Sequence, residues 1–470
     1  MRSRIRQPSG RGSLTVLALG VGLFSVTQTM VVPLVPTIAQ ATGATALELS
    51  WLVTGTFVVG ASLIPFLGRL ADRVGKRRVL VISLGGMAAG SVVIAVTDSP
   101  EVMIVARCVQ GVALAFPPIG VSLLKDLLPA HRFARGVGLL GAATGAGTAL
   151  AVPAVALLAA VVEWRATFVI LGIEMLLVVG LIVLLVPADT PEADTAAGGR
   201  LDILGAVLLA IPIAAMTALI SEGVNWGWSS ALTIGAALVM LIGYTAWILQ
   251  ARRAADPVVD LRLVTSQHLG WANLLSLFLG FALFSNFLLT TYRAQMPATT
   301  GYGLGLSLIQ TGVLLIPLGI VMLVFSPLAG HLAVRFGAPA TIMASAPILA
   351  AGYVAHLFAA DFWGVLIAST IVSVGISFAY GNVGVLVSNA APVDRVASAN
   401  AINVLVRFVG QAVSSASTAA LFSVWTITVA GEVWPEATAF VVGYLLALAV
   451  SVAAGLVATL IMRTSRPQRG

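Results

Sequence analysis

Three charged side chains of this 470-residue chain, Arg107, Glu174 and Asp72, stand out for the chemistry their settings allow. Arg107 lies inside an apolar run from 100 to 124, with Gln110 one helical turn further on. A guanidinium at that depth must face the protein interior and find acceptors there. Glu174 is the acid of the apolar run 167–187; its carboxyl could hold and release a proton, pair locally, or snorkel to the surface. Asp72 stands among Arg69, Arg73, Arg77 and Arg78 in a short connection punctuated by Gly68 and Gly75. The glycines allow a tight turn between helices, and the carboxylate can accept hydrogen bonds from a neighbouring helix N-terminus. The chemistry these groups offer is proton holding and charge pairing. No nucleophile–base–acid set falls within the apolar runs, which speaks against an enzyme. Cys108 is the one cysteine, and His131, His268, His331 and His356 are scattered without metal spacing, so no disulfide, metal or cofactor is expected.

The elements that position these groups must be membrane helices. The chain is 59% hydrophobic and 9% charged, against roughly 25% charged residues in a soluble domain. Apolar runs of the length that crosses a bilayer recur at 14–38, 49–67, 79–96, 100–124, 136–161, 167–187, 204–221, 231–249, 271–291, 307–325, 341–359, 363–388, 398–424 and 438–462. Backbone in hydrocarbon must bond internally, so the expected form is about fourteen helices. The first follows Arg2, Arg4 and Arg6 as a signal peptide would, but its run is too long and thirteen more follow; it reads as an uncleaved helix. With the N-terminus inside, the even-numbered connections and both tails hold 21 of the 25 Lys and Arg. That asymmetry expects both termini in the cytoplasm and a multi-pass protein of the inner (plasma) membrane. The net charge of +7 is thereby topological, and no nucleic-acid partner is needed to explain it.

The chain also repeats itself. Pro65, Gly68, Leu70, Ala71, Arg73 and Gly75 recur as Pro327, Gly330, Leu332, Ala333, Arg335 and Gly337, each 262 residues later. Pro129 and Arg132 recur as Pro392 and Arg395 at an offset of 263. An offset of eight helix-plus-loop units leaves orientation unchanged, so the halves are parallel copies with two helices between them. The expected division is 1–187 for the first half, 188–263 for a linker and the two additional helices, and 264–470 for the second half. The polar stretch Pro187–Arg200 reads as the linker leaving the first half, and 252–263 as the lead into the second.

Gly68-Arg-Leu-Ala-Asp-Arg-Val-Gly-Lys-Arg-Arg78 closely resembles the loop 2–3 signature of major facilitator transporters, Gly-x-Leu-Ala-Asp-Arg-x-Gly-Arg-Lys. In that family the loop latches the cytoplasmic side shut when the carrier faces outward, a role the resemblance gives to Gly68, Asp72, Arg73, Gly75 and Arg77. A purely topological basic stop explains the arginines but not the Gly/Asp spacing. In the second copy Val334 stands where the first has Asp72. Arg107-Cys-Val-Gln-Gly111 resembles the family's Arg-x-x-Gln-Gly, which implies proton coupling through Arg107 and Gln110; a structural hydrogen-bonding arginine is the alternative. The fifth run is similar to an antiporter signature through Gly141, Gly145 and Pro153, although Val152 and Ala156-Leu157 depart from its glycines, and tight packing alone would also account for them.

Trp164–Phe168, Asn225–Trp228 and Asp256-Pro-Val-Val-Asp-Leu-Arg262 resemble the fourteen-span drug:proton antiporter branch, so the likeness covers nearly the whole chain. It implies an all-α major facilitator fold: two parallel six-helix halves plus two extra central helices, with alternating access around a midplane cavity. Gln28, Trp51, Asn273, Asn286 and Asn382 are the polar candidates around that cavity. The implied function is proton-coupled efflux of amphipathic small molecules or drugs, with the lipid bilayer, a small-molecule substrate and protons as partners. One feature departs: Thr27 and Val32 replace the acid and asparagine usual in the branch's first helix, leaving Glu174 and Glu222 as acids near run interiors. An uncoupled or differently coupled metabolite carrier is therefore the alternative, ahead of a non-transporting scaffold or sensor.

The charge asymmetry generates a direct expectation. In a Cys108→Ser background, Arg77→Cys reacts with an impermeant thiol reagent only after the cells are opened; labelling from outside would reverse the topology.

Overall fold

The computed structural model describes residues 10–44, 46–159, 162–188, 202–227, 229–261, 266–429 and 432–464. Arg2, Arg4 and Arg6, residues 189–200 of the linker, Trp228 and Arg262 lie outside them. The first six crossings are α1 (Gly10–Thr29) with α2 (Val31–Thr42), α3 (Ala46–Val74), α4 (Lys76–Val96), α5 (Pro100–Gln110) with α6 (Phe116–Leu127), α7 (Ala130–Ala159) and α8 (Trp164–Leu185). Two more follow, α9 (Ile203–Trp226) and α10 (Ala231–Ala251). The last six are α11 (Gln267–Gln295), α12 (Leu308–Phe336), α13 (Ala338–Phe358), α14 (Phe362–Ala390), α15 (Val396–Val424) and α16 (Ala437–Thr464). These make fourteen helical passes, as the apolar runs lead one to expect. Among the described residues, twelve helices are long and apolar enough to cross a membrane by length and composition, and Ile203–Leu219 of α9 is a shorter apolar stretch.

Two runs expected as single helices are broken, and proline explains both. Pro33 has no N–H for the carbonyl of Thr29, where α1 ends. Pro117 and Pro118 deprive the carbonyls of Ala113 and Leu114, and the chain there tightens into a 3₁₀ turn, Gly111–Ala115. A second difference is a two-stranded hairpin between α15 and α16, β1 (Thr426–Val429) with β2 (Glu432–Pro435), pairing Ile427 with Trp434. Alternating β-branched and aromatic residues favour the pleated ribbon over helix.

The repeat is visible in the backbone. α3 and α12 share their limits at an offset of 262, as do α4 and α13, and α14 starts 262 residues after α5. The joints are Gly75 (φ 106°) and Gly337 (φ 86°), a left-handed region that a side chain would strain. The halves meet where α3 and α6 pack on α15, and where α7 packs on α12 and α14. α9 leans on both α3 and α15, while α10 packs chiefly on α9 and keeps only 11% of its membrane-length window buried.

The glycines of α7 are what let the halves touch. A Cβ at Gly138 would sit 2.6 Å from the Ser326 carbonyl oxygen of α12, and one at Gly145 would lie 2.5 Å from the Met322 sulfur. At Gly141 it would make ordinary contact with the Tyr380 ring of α14. On another side of the helix, Gly147 meets the Gly22 carbonyl of α1. The side chain of Pro153, within α7, lies outside the described residues. Alanine in place of a helical glycine gains up to about 1 kcal/mol of intrinsic propensity. Because a carbonyl cannot swing aside as a methionine tip can, Gly138→Ala should still lower the melting temperature in detergent by several degrees. Gly85→Ala, which opens onto free space, should leave it equal or higher; the same order in both variants would remove the contact from the account.

Candidate functional site

At the end of the bundle that carries the 2–3 loop, here the basic end, the carboxylate of Asp72 joins one half to the other. Asp72 Oδ1 accepts the Ala397 N–H at 3.0 Å, and Oδ2 accepts the Ser398 N–H at 2.8 Å and the Ser398 hydroxyl at 2.7 Å. These are first-turn amides of α15, whose preceding residue, Arg395, supplies no side-chain cap. Helix N-termini expose unbonded N–H groups with partial positive charge, so Asp72 caps in trans a helix belonging to the other half. Gly68 makes the approach possible, since a Cβ there would stand 2.6 Å from Ala401 Cβ and 3.1 Å from the Ala397 carbonyl. The neighbouring cations have separate duties. Arg69 and Arg73 pair with Asp256, and Lys76 pairs with Asp126 at 2.6 Å. Arg77 bonds the Val183 carbonyl at the end of α8.

The second copy repeats the shape without the acid. Gly330 abuts the Ala134 carbonyl and Arg135 Cα of α7, as Gly68 abuts Ala397 and Ser398 of α15. Val334 occupies the position of Asp72 and is 42% exposed. Beside it lies a cavity of about 690 Å³, lined by residues of both halves that include Lys125, His131, Val334 and Asn389. Lys125 donates to the Ser388 carbonyl of α14.

Deeper in the first half, Arg107 is 1% exposed and so does not border open space in this conformation. Its Nε donates to the Leu52 carbonyl of α3 at 2.9 Å, and Nη1 donates to Gln110 Oε1 at 2.7 Å. Gln110 passes the contact on to Ser91 of α4 at 2.8 Å. Thr56 of α3 donates to the Arg107 carbonyl, and two residues earlier Thr54 donates to the buried Glu222 of α9 at 3.1 Å. Residues 52–56 of α3 thus touch both the buried arginine and the buried acid. Glu174 lies half-buried on α8, flanked by the exposed Ile173 and Leu177, and makes no hydrogen bond or ion pair among the described residues.

The expected cavity residues are spread out. Gln28 of α1 is partly buried, and neither end of its amide has a partner among the described residues; Trp51 of α3 is partly buried. The asparagines are bonded within the second half. Asn273 accepts from Asn403 at 3.0 Å, Asn286 lies 3.3 Å from His356 Nε2, and Asn382 donates to the Phe378 and Ala329 carbonyls. Asn403 also accepts from Arg407, whose guanidinium lies 4.2 Å over the Tyr380 ring. Arg407, Asn403 and Ser398 carry no motif that marks them in the sequence, and Arg395 stands out there only as an anchor of the repeat. The available signal was two acids, Asp256 and Asp260, in a connection that is otherwise basic.

The family model described as Major Facilitator Superfamily matches residues 17–415. Among curated relatives, the tetracenomycin C resistance and export protein of Streptomyces glaucescens is 28% identical over 70% of this chain, which spans 60% of that relative's length. The multidrug resistance protein Stp of Mycobacterium tuberculosis is 27% identical over 88% of this chain and 76% of its own. Of solved structures, the proton:xylose symporter XylE bound to 6-bromo-6-deoxy-D-glucose superposes with a TM-score of 0.67 at 16% identity, covering 98% of this chain and 96% of its own. The human organic anion transporter MFSD10 gives 0.66 at 15% identity, covering 96% of this chain and 100% of its own.

The geometry separates the two copies of the loop by experiment. Asp72→Asn keeps the shape and one acceptor oxygen but exchanges a charge-assisted bond, worth roughly 1.5–3 kcal/mol, for a neutral one of roughly 0.5–1.5 kcal/mol. A shift of 1.4 kcal/mol is about tenfold in an equilibrium. Transport of a carried dye should fall about tenfold with expression and melting temperature near wild type, whereas Val334→Ala should change it less than about twofold. Equal turnover in Asp72→Asn and wild type would remove the latch.

Proposed function

We propose, from the premise that this chain belongs to the Major Facilitator Superfamily, that it exports amphipathic small molecules or drugs in exchange for protons by alternating access. The protein is a multi-pass membrane transporter and not an enzyme. The observation that carries the alternating-access reading is Asp72, a carboxylate of one half bonded to amides of the other at one end of the bundle. A contact across the halves that is local to one end is what a carrier must make and break in turn. The loading of basic residues supports a cytoplasmic position for that end and for both termini, in an inner (plasma) membrane. The latch is then Gly68, Asp72, Arg73, Gly75 and Arg77, and the structure is the conformation closed to the cytoplasm. The division at 187 and 263 into two halves and an intervening pair follows the same reading.

Export is supported by what the names of the relatives say of those proteins, resistance to and export of antibiotics. Proton coupling is supported by Arg107 and Gln110, a fully buried cation held by neutral acceptors two residues of α3 away from a contact to Glu222. Glu174 is the other acid on this reading. Gln28 and Trp51 are the side chains assigned to substrate, with Asn273, Asn286 and Asn382 bracing the second half around it. A second reading is favoured by Thr27, which is buried and bonded to the Leu23 carbonyl where the drug:proton branch has an acid. That substitution suits an uncoupled or differently coupled carrier.

Proteoliposomes under an imposed pH gradient decide between them. Arg107→Ala should abolish gradient-driven accumulation and leave downhill exchange measurable. Wild-type transport that ignores the gradient ends the antiport reading and favours the facilitator.

A further inference from the structure

One carboxylate at the basic end belongs to neither half. Asp256 lies five residues beyond α10, and three guanidinium groups share it. Arg69 and Arg73, one turn apart on α3, bond its two oxygens, and Arg395, in the turn before α15, approaches Oδ1 at 3.2 Å. Asp260 adds a second acceptor for Arg395 at 3.4 Å. The arginines on α3 are almost wholly buried, with side chains 8% exposed, so each needs a counter-charge that solvent does not supply. They also repel one another across one helical turn. Between the two acids, Val258 and Val259 are buried in a cluster with Leu209 and Ile213 of α9, Trp247 of α10, Ala61 of α3 and Ile402 of α15. The segment is therefore anchored on the extra helix pair while its acids reach both halves.

We propose that the segment Asp256–Asp260 is a clasp on the basic-end gate and that Asp256 is its positioning residue. The inference rests on the alternating-access reading, under which α3 and α15 part at this end. Asp256 has two guanidinium partners on α3 and one before α15, so it moves with α3, and the break runs between the two acids and Arg395. Asp256 keeps Arg69 and Arg73 neutralised whichever way the carrier faces, and its hold on Arg395 adds to the hold of Asp72 on the same turn of chain. The extra pair acquires a function from this: it carries the clasp.

The test is a distance across the gate, read by pulsed electron paramagnetic resonance on the purified full chain. Spin labels go on Ile82→Cys and Phe336→Cys, both exposed, in the Cys108→Ser background. Arg395→Gln leaves Asp256 with its two partners on α3 and should fold; it should raise the long-distance population at least threefold, and Arg395→Lys should restore most of the short one. Asp256→Asn, where it folds, should open the gate at least as far, and the double variant should add little to the larger single effect. Distributions of Arg395→Gln and wild type that coincide overturn the clasp, whatever Asp256→Asn does. Because no substrate enters the measurement, distances that shift in a protein that carries nothing uphold the clasp and sink the export reading. Unmoved distances in an active exporter do the reverse.

Discussion

A carboxylate seated on the free amides of a helix is a modest interaction on a wet surface, where salt and water screen it. Between the halves of this protein it joins α3 to the first turn of α15. Asp72 contributes all three of its bonds across the boundary and none to its own half. The surroundings are arranged around that fact. Gly68 removes the Cβ that would hold α3 away from α15, and Gly75 turns the chain so that α4 can start at once. Arg395 leaves the α15 N-terminus uncapped from its own side, so the acid from α3 has a vacancy to fill.

The buried arginines away from the basic end show how the rest of the chain meets the same requirement without acids. Arg107 uses a backbone carbonyl and a glutamine, Arg407 an asparagine and the face of a tyrosine, and Arg293 the carbonyls of Tyr302, His356 and Ala359. Neutral acceptors satisfy a guanidinium's N–H groups while leaving its charge uncancelled. Each such site keeps a positive field in the protein interior, where low dielectric makes it reach further than it would in water. At the basic end Arg69, Arg73, Lys76 and Arg395 are instead matched by Asp126, Asp256 and Asp260.

Helix number and the repeat were legible in the sequence because each has a local signature. Apolar runs of bilayer length mark the helices, and the glycines at 75 and 337 mark the joints. The nature of Asp72's partner was legible as well, since a lone acid beside tight turns seeks helix amides. What could not be read were the distant partners, since two acids in a basic connection mark a pairing without naming the residue that completes it. Nothing near Arg395 points to Asp256, 139 residues away, and nothing near Asn273 says that it faces Asn403 instead of open space. Breaks within crossings were missed for another reason. Pro33, Pro117 and Pro118 interrupt α1–α2 and α5–α6, yet Pro65 and Pro317 are accommodated inside unbroken α3 and α12. Neighbouring helices and 3₁₀ adjustment can re-satisfy the carbonyls that a membrane proline frees, so the residue alone does not decide.

The most lipid-facing part of the molecule is also the part that leads into the basic end. α10 has 21 residues, about 31 Å at the α-helical rise, close to the thickness of a typical hydrocarbon core. A bilayer a few ångström thinner or thicker is met by tilting such a helix, at a fraction of a kcal/mol per ångström of mismatch. With so little protein around it, α10 has few contacts to resist the tilt, and its last residue, Ala251, is five positions from Asp256. The helix with the least protein around it to share such a mismatch is thus one of the pair that the two halves do not share, held at its far end by Trp247 and Ala251.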